Sequence, residues 1–208
     1  MGRRRHGIAN PHTRKRFLHA LHHIELSAID LAIACCLRAP DQYPDFHADF
    51  LSIAADEVKH ALLLRDYLEQ GDYAPGSEAI EHRLWGSMLL ARDLGEQLVI
   101  VPRFLEARGL DVSAELLPRL QAVDAPAGEI VERIYRDEIR HVGIGSQWHH
   151  HWCQKQGVSS RQHFAETVAH WFGDQVPSAQ PLDESGRQAA GFHHQEIAWL
   201  RDPTQPVH

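Results

Sequence analysis

Asp56-Glu57-Val58-Lys59-His60 and Asp137-Glu138-Ile139-Arg140-His141 are two copies of one pattern, acid-Glu-aliphatic-base-His. On a helix, a Glu and a His three positions apart leave from the same face, so each copy can offer a carboxylate oxygen and an imidazole nitrogen to one ion. Glu25 precedes Glu57 by 32 residues, and Glu106 precedes Glu138 by the same 32. A first helix with one Glu, followed by a second with Glu-x-x-His, therefore occurs twice. Two such antiparallel pairs, packed together, put four carboxylates and two imidazoles inside a bundle, which is the di-iron or di-manganese carboxylate constellation. The expected metal ligands are Glu25, Glu57, His60, Glu106, Glu138 and His141. Hard carboxylates with borderline imidazoles suit two Fe ions, with Mn or a mixed Mn/Fe pair also compatible.

A lone Glu-x-x-His is commonly a surface pair. Doubling it at equal intervals, flanked by Leu, Ile and Val, argues for buried charge, and buried charge needs a partner that a metal supplies. Glu96 also falls in the third helix and competes with Glu106 for the third ligand position; the equal spacing favours Glu106. Asp56 and Asp137, each one residue before a ligand Glu, are either acceptors that orient the opposite imidazoles or plain surface acids. Tyr135, three positions before Glu138, is the candidate catalytic residue as a radical or proton relay, against the alternative of a core tyrosine. His22 or His23 could add a ligand or a donor beside Glu25. The other histidines, including His149 to His151, His193 and His194, read as exposed polar positions. A zincin needs His one residue before the Glu, where Asp56 and Asp137 stand. Phosphate-binding loops, the zinc-deaminase pairing and the nucleophile elbow are likewise absent from the sequence.

The elements that must position these groups read as all-α. Helix 1 is expected from about Thr13 to Arg38, with Pro40 as its stop, and helix 2 from the turn at Asp41 to Pro44 until near Gly71. The segment Gly71 to Ser77 reads as the crossover loop between the two halves. Helix 3 is expected to start near Glu78 or Ile80, carry Trp85 and Leu89, kink at Pro102, break around Gly109 and Pro118, and resume from Ser113 to Val123. Helix 4 begins near Asp124 or Pro126 and ends at Gly157. Two further helices, about Ser160 to Phe172 and Glu184 to Leu200, flank a loop around Pro177 to Pro181. The domain reading is a basic N-terminal arm over 1–16, a four-helix bundle over 17–156, and a C-terminal helical extension over 157–208 that packs on it.

Composition, with 43% apolar and 24% charged residues in 208, is that of an ordinary globular chain. The apolar run Leu26 to Leu37 is interrupted by Ser27 and Asp30 and falls short of a bilayer span, and the first residues lack the apolar core of a secretory signal. A soluble, cytoplasmic protein without membrane partners is expected. Cys35, Cys36 and Cys153 fit neither a disulfide framework nor a Cys-based zinc pattern, and read as core filler. Residues 1–16 hold six of the 21 basic residues and none of the 28 acidic ones. Such an arm could touch RNA phosphates, but a solvated terminus is the favoured reading.

Four strings, HHIELSAIDLA (His22 to Ala32), ADEVKHALLL (Ala55 to Leu64), VPRFLEARGLDV (Val101 to Val112) and RDEIRHVGIGSQW (Arg136 to Trp148), resemble the bacterial ferritin-like proteins of the domain of unknown function 455. Between them they span most of 17–156. More distantly, LEAR at Leu105 to Arg108 followed by DEIRH is similar to the third and fourth ligand helices of the ferritin-like tRNA hydroxylase, which supports Glu106 over Glu96 and transfers no substrate. The resemblance implies a ferritin-like four-helix bundle in which Glu57 and Glu138 bridge two ions, Glu25 and Glu106 cap them, and His60 and His141 complete one set each. The expected function is a non-haem dinuclear iron oxidoreductase that activates O2 or peroxide, a hydroxylase or monooxygenase of unknown substrate, supplied with electrons by an external donor. The alternatives are a ferroxidase that handles iron, and a structural metal-binding bundle.

Overall fold

The computed structural model describes residues 7–39, 43–71, 73, 74, 76, 86, 91–173 and 181–204, and among these there is no strand. Helix α1 is Pro11–Arg38. Asn10 caps it by accepting the amides of His12 and Thr13, and Pro11 occupies the first turn, where no donor is required. The expected basic arm therefore ends sooner than residue 16. Arg14 and Lys15 lie on the helix, Arg14 pairing with Asp124 at 2.7 Å and Lys15 with the Gly71 carbonyl. Arg3, Arg4 and Arg5 lie outside the described residues. Helix α2 is Pro44–Gln70, as the sequence predicts.

The expected start of the third helix, with Trp85 and Leu89, falls outside the described residues, as do most of the crossover loop and the loop before Pro181. From Asp93 onward the helix is continuous through α3 (Leu94–Leu98), a π-helical stretch (Val99–Glu106) and α4 (Ala107–Val123). Pro102 is the local reason for the π stretch. Its missing donor and its ring disfavour the ordinary turn, and a wider turn relieves the clash. No break occurs at Gly109 or Pro118, contrary to expectation. A helical Gly costs only about 1 kcal/mol, and Pro118 is exposed, so the carbonyl that its ring displaces can meet water.

Helix α5 (Ala125–Gln156) starts at Asp124, whose side chain caps Ala127 while also accepting Arg14 Nε and the Tyr67 hydroxyl, so one carboxylate ties α1, α2 and α5 together. Gly157, at φ 69°, ends α5 in the left-handed conformation. Helix α6 is Ser160–Phe172. The single helix expected over Glu184 to Leu200 is two, α7 (Glu184–Ala189) and α8 (His194–Arg201). Gly191 turns the chain at φ 82°, and His193 with Glu196 forms a capping box for the new start.

Packing gives the four long elements an antiparallel order. At one end, Leu18 of α1, Leu64 and Leu68 of α2, Leu120 of α4, and Ala127, Val131 and Ile134 of α5 share an apolar cluster. At the other end, Ala32 and Cys35 of α1, Phe46, Phe50 and Ile53 of α2 and Leu98 of α3 form a second, with Trp148 and Trp152 of α5 against it. Glu25, Glu57, Glu106 and Glu138 all fall in sequence between these ends. The C-terminal helices close the π stretch side: Phe164, Val168, Phe192, Ile197, Trp199 and Leu200 pack on Val99, Phe104 and Val142. Arg103 is buried there and pairs with Glu196 through both carboxylate oxygens, at 3.0 and 2.9 Å.

Helix α1 is the one described helix that is long and apolar enough to cross a bilayer, a run longer than the sequence reading allowed. Its Leu18, Leu31, Ala32 and Cys35 are instead buried against the other helices, and Glu25 lies on the same inner face.

Close approach of the π stretch to α5 depends on Gly145, where an added Cβ would lie 2.3 Å from Pro102 Cβ. Gly145→Ala is expected to destabilise the protein by about 1–3 kcal/mol, the cost of overpacking. Urea unfolding measures this, and an unchanged midpoint would show that the two elements can part without cost.

Candidate metal centre

Between the two apolar ends the inner faces of the bundle turn polar. Glu25, Glu57, His60 and Glu138 bring one donor atom each to within 4.8 Å of one another. His60 Nδ1 is 3.1 Å from Glu25 Oε2 and 3.2 Å from Glu57 Oε2, so α1 and α2 meet through these three side chains. The other oxygen of Glu57 faces the opposite helix, 2.9 Å from His141 Nδ1, which also lies 3.5 Å from Glu138 Oε1. Glu57 thus spans both imidazoles, one oxygen to each.

Outer nitrogens of the two rings turn to aspartates on the opposite helix. His60 Nε2 is 3.0 Å from Asp137 Oδ2, and His141 Nε2 is 3.6 Å from Asp56 Oδ2. Asp56 is itself held by Lys59 at 2.7 Å and by Arg140. This crossed arrangement is one of the two readings open to Asp56 and Asp137 in the sequence, and it leaves each Nδ1 aimed inward.

Glu106 is the last residue of the π stretch, half-buried with its Oε2 shielded from solvent, and the charges of Glu138 and Glu57 act on it. Glu96 is elsewhere. Its carboxylate accepts the Arg92 side chain and amide and the Trp171 indole at 3.3 Å, which accounts for its burial without a metal. Tyr135 is not brought to the layer either. Its hydroxyl donates to Asp183 at 2.5 Å and so fastens α5 to the C-terminal segment, which replaces the relay role expected for it. His22 sits among His19, His23, Arg65 and Glu69 rather than among the carboxylates.

The layer is badly served by hydrogen bonds alone. Glu57 Oε1, Glu106 Oε2 and both ring nitrogens of His141 are buried without an aligned partner, although carboxylate oxygens lie close by. A buried polar atom left unmatched costs on the order of 1–3 kcal/mol, more if charged. Cations coordinated by Glu57 Oε1, Glu106 Oε2 and His141 Nδ1 would satisfy three of the four and leave the His141 Nε2 proton facing Asp56, so the donor set fits a carboxylate–imidazole metal site.

Electrostatics point the same way. Burial pushes Glu25 and Glu106 well above the ordinary carboxylate range, helped by the charge of Glu57, and Glu138 is raised for the same reasons. Glu57 is also desolvated, yet the close imidazoles of His141 and His60, with the Glu25 carboxyl, hold it well below its usual range. Burial opposes charge on the imidazoles, but Glu25 and Glu57 overcome this and lift His60 to about 10, and Glu138 and Glu57 lift His141 to about 11. Without a metal, protons supply the positive charge.

Two features escaped the sequence reading. Arg103 carries no motif, and its role appears only when α8 delivers Glu196 to it. His149, read as exposed, is fully buried on α5 beside Cys153 and His163.

A family profile described as "Protein of unknown function (DUF455)" matches residues 1–198. An uncharacterized protein of Haemophilus influenzae is 32% identical over 199 residues, which cover 91% of this chain and 68% of that protein. No solved structure matches the chain.

Protonation of the layer has a consequence for stability. His60 and His141 have folded pKa values above their ordinary 6.5, so their contribution is complete below about pH 6.5 and is lost as pH rises toward about 10 and 11. The raised carboxyls act in the same direction, since above pH 4.5 the unfolded chain ionises them and the folded chain resists. Glu57 has the opposite sign, but its effect is confined to pH below about 4.5. The metal-free protein should therefore melt at progressively lower temperature from about pH 6 to about pH 9. A melting temperature that rises over this range would contradict the assignment of these protons.

Proposed function

The chain belongs to the DUF455 family, and we propose that within this family it is a ferritin-like, non-haem dinuclear metal oxidoreductase that activates O2 or peroxide. The observation that carries the reading is the layer of unmatched buried donors, Glu57 Oε1, Glu106 Oε2 and both nitrogens of His141, between two apolar ends. Glu25, Glu57, His60, Glu106, Glu138 and His141 would hold two iron ions, or manganese in part. A bound pair supplies two electrons to an oxidant, with open positions for it to approach.

The chain's own residues perform the remaining tasks. Glu57 faces His60 with one oxygen and His141 with the other, and so couples the two halves of the layer. Asp137 accepts from His60 Nε2 and keeps that ring's Nδ1 turned inward. Asp56, fixed by Lys59 and Arg140, stands opposite His141 for the same purpose. Asp56 and Asp137 are also the partly exposed members of the set, with side chains 20% and 36% exposed, so protons displaced from the layer leave through them. The apolar clusters above and below exclude water, which strengthens every charge interaction inside. Electrons come from an external donor, since the sequence carries no flavin or Fe–S motif. Three unpaired cysteines are compatible with a reducing cytoplasm, where we place the protein.

Anaerobic Fe(II) loading followed by O2 exposure tests this reading. Wild type should bind two ions per chain, consume O2 and retain the oxidised iron. Glu106→Ala should lose an ion or weaken binding while Glu96→Ala keeps both, and Asp137→Ala should lower affinity by about 10–100-fold. Continued iron uptake beyond the two sites would favour the ferroxidase alternative, and loading without any O2 consumption would leave a structural bundle.

A further inference from the structure

Glu106 lies in sequence between two buried ion pairs that tie its helix to the C-terminal segment. Three positions before it, Arg103 donates to both oxygens of Glu196 on α8, at 3.0 and 2.9 Å. Five positions after it, Asp111 accepts Nε and Nη2 of Arg187 on α7, at 2.9 and 2.7 Å. The same Nη2 is 3.3 Å from the carbonyl oxygen of Ala107, the residue next to Glu106. Both guanidinium groups lie over the ring of Phe192, 4.7 and 5.0 Å from its centroid, so the two pairs form one assembly. A further tie runs to α5. Asp183 accepts the Tyr135 hydroxyl three positions before Glu138, and its amide donates to Asp111.

Buried ion pairs contribute little to stability, because desolvation consumes most of their attraction. What they supply is direction. A guanidinium presents its donors as a rigid planar fork, and Arg187 meets both oxygens of Asp111 with it. Direction is what the π stretch has to hold. On an ordinary helix residues three apart share a face, whereas the wider turn takes Arg103 into the extension and leaves Glu106 where the charges of Glu57 and Glu138 act on it. Relaxation to ordinary turns would rotate Glu106 relative to Arg103. Anchors at Arg103 on one side and Asp111 on the other oppose that rotation.

We propose that Arg103, Asp111, Arg187 and Glu196 are positioning residues, through which α7 and α8 aim the Glu106 carboxylate at the ion it would hold. The proposal rests on the metal reading of the layer. It also divides that layer. Glu106 depends on the C-terminal segment, whereas Glu25, Glu57 and His60 stand on α1 and α2, which are held by the apolar ends.

Anaerobic Fe(II) titration of the full-length chain, followed by calorimetry, tests the assignment. Wild type should bind two ions. Arg103→Met/Glu196→Met removes both charges together, an exchange that is often neutral for stability. It should weaken one of the two ions by about 10–100-fold, the usual cost of losing a ligand's support. In a Glu25→Ala background the same pair should weaken the remaining ion by that factor, and in a Glu106→Ala background it should change nothing further. A merely structural role would weaken both backgrounds alike. Glu196→Gln, which keeps one acceptor oxygen for Arg103, should show the same selectivity in smaller measure and decides the matter where the pair does not fold. Fewer than two ions in wild type would overturn the metal reading itself. Two ions in wild type, with equal affinity in the variants or equal losses in the two backgrounds, would overturn the positioning role alone.

Discussion

Four carboxylates and two imidazoles are taken out of water between two apolar ends, and something positive must be shared among them. Isolated charges in such surroundings are costly, and the layer's own hydrogen bonds leave four donor or acceptor atoms unmatched. Protons on the two imidazoles and on the raised carboxyls are the stopgap available to the chain by itself. They fit imperfectly, because His141 Nδ1 lies within 2.9 Å of Glu57 Oε1 without the alignment of a hydrogen bond. Cations bound by all six side chains resolve the mismatch. On this account, helix lengths, the two apolar clusters and the crossed aspartates serve to hold that layer level.

The third helix shows how the surrounding fold is adapted to the layer. Pro102 and Gly145 let the π stretch approach α5 closely, and Glu106 ends that stretch facing the carboxylates. Three residues earlier, Arg103 projects toward the C-terminal helices and is fixed there by Glu196, Ser146, Phe164 and Phe192. One irregular segment thus joins the polar layer to the extension. His149, whose Nδ1 accepts from Arg103, continues the connection to Cys153 and His163.

Much of this was legible in the sequence, for physical reasons. Repeated Glu-x-x-His at a constant interval identifies helix faces because helical geometry fixes which residues share a face, but whether Asp56 and Asp137 meet the opposite imidazoles or solvent was left open, because the answer depends on how the two helices pack. Helix ends at Asp124 and Gly157 are marked by capping chemistry that acts locally, whereas the Asn10 cap, which starts α1 before the expected Thr13, was missed. The choice between Glu106 and Glu96 was open to spacing alone, because Arg92 and Trp171, which occupy Glu96, are tertiary neighbours. Tyr135 was misread for a related reason: shared face with Glu138 does not say which partner its hydroxyl meets, and Asp183 arrives from 48 positions away. His149 looked exposed within a run of three histidines, and only the packing of α6 and α8 buries it. The break at Gly191 depends on a left-handed turn that a glycine permits without requiring.

Diffraction from crystals of the iron-loaded protein, recorded on both sides of the iron absorption edge, addresses the central claim directly. The account predicts two anomalous peaks inside the bundle, each within bonding distance of carboxylate oxygens and one of the Nδ1 atoms of His60 and His141. Iron found only at surface acids, with Glu25, Glu57, Glu106 and Glu138 still bonded to one another through protons, would contradict it.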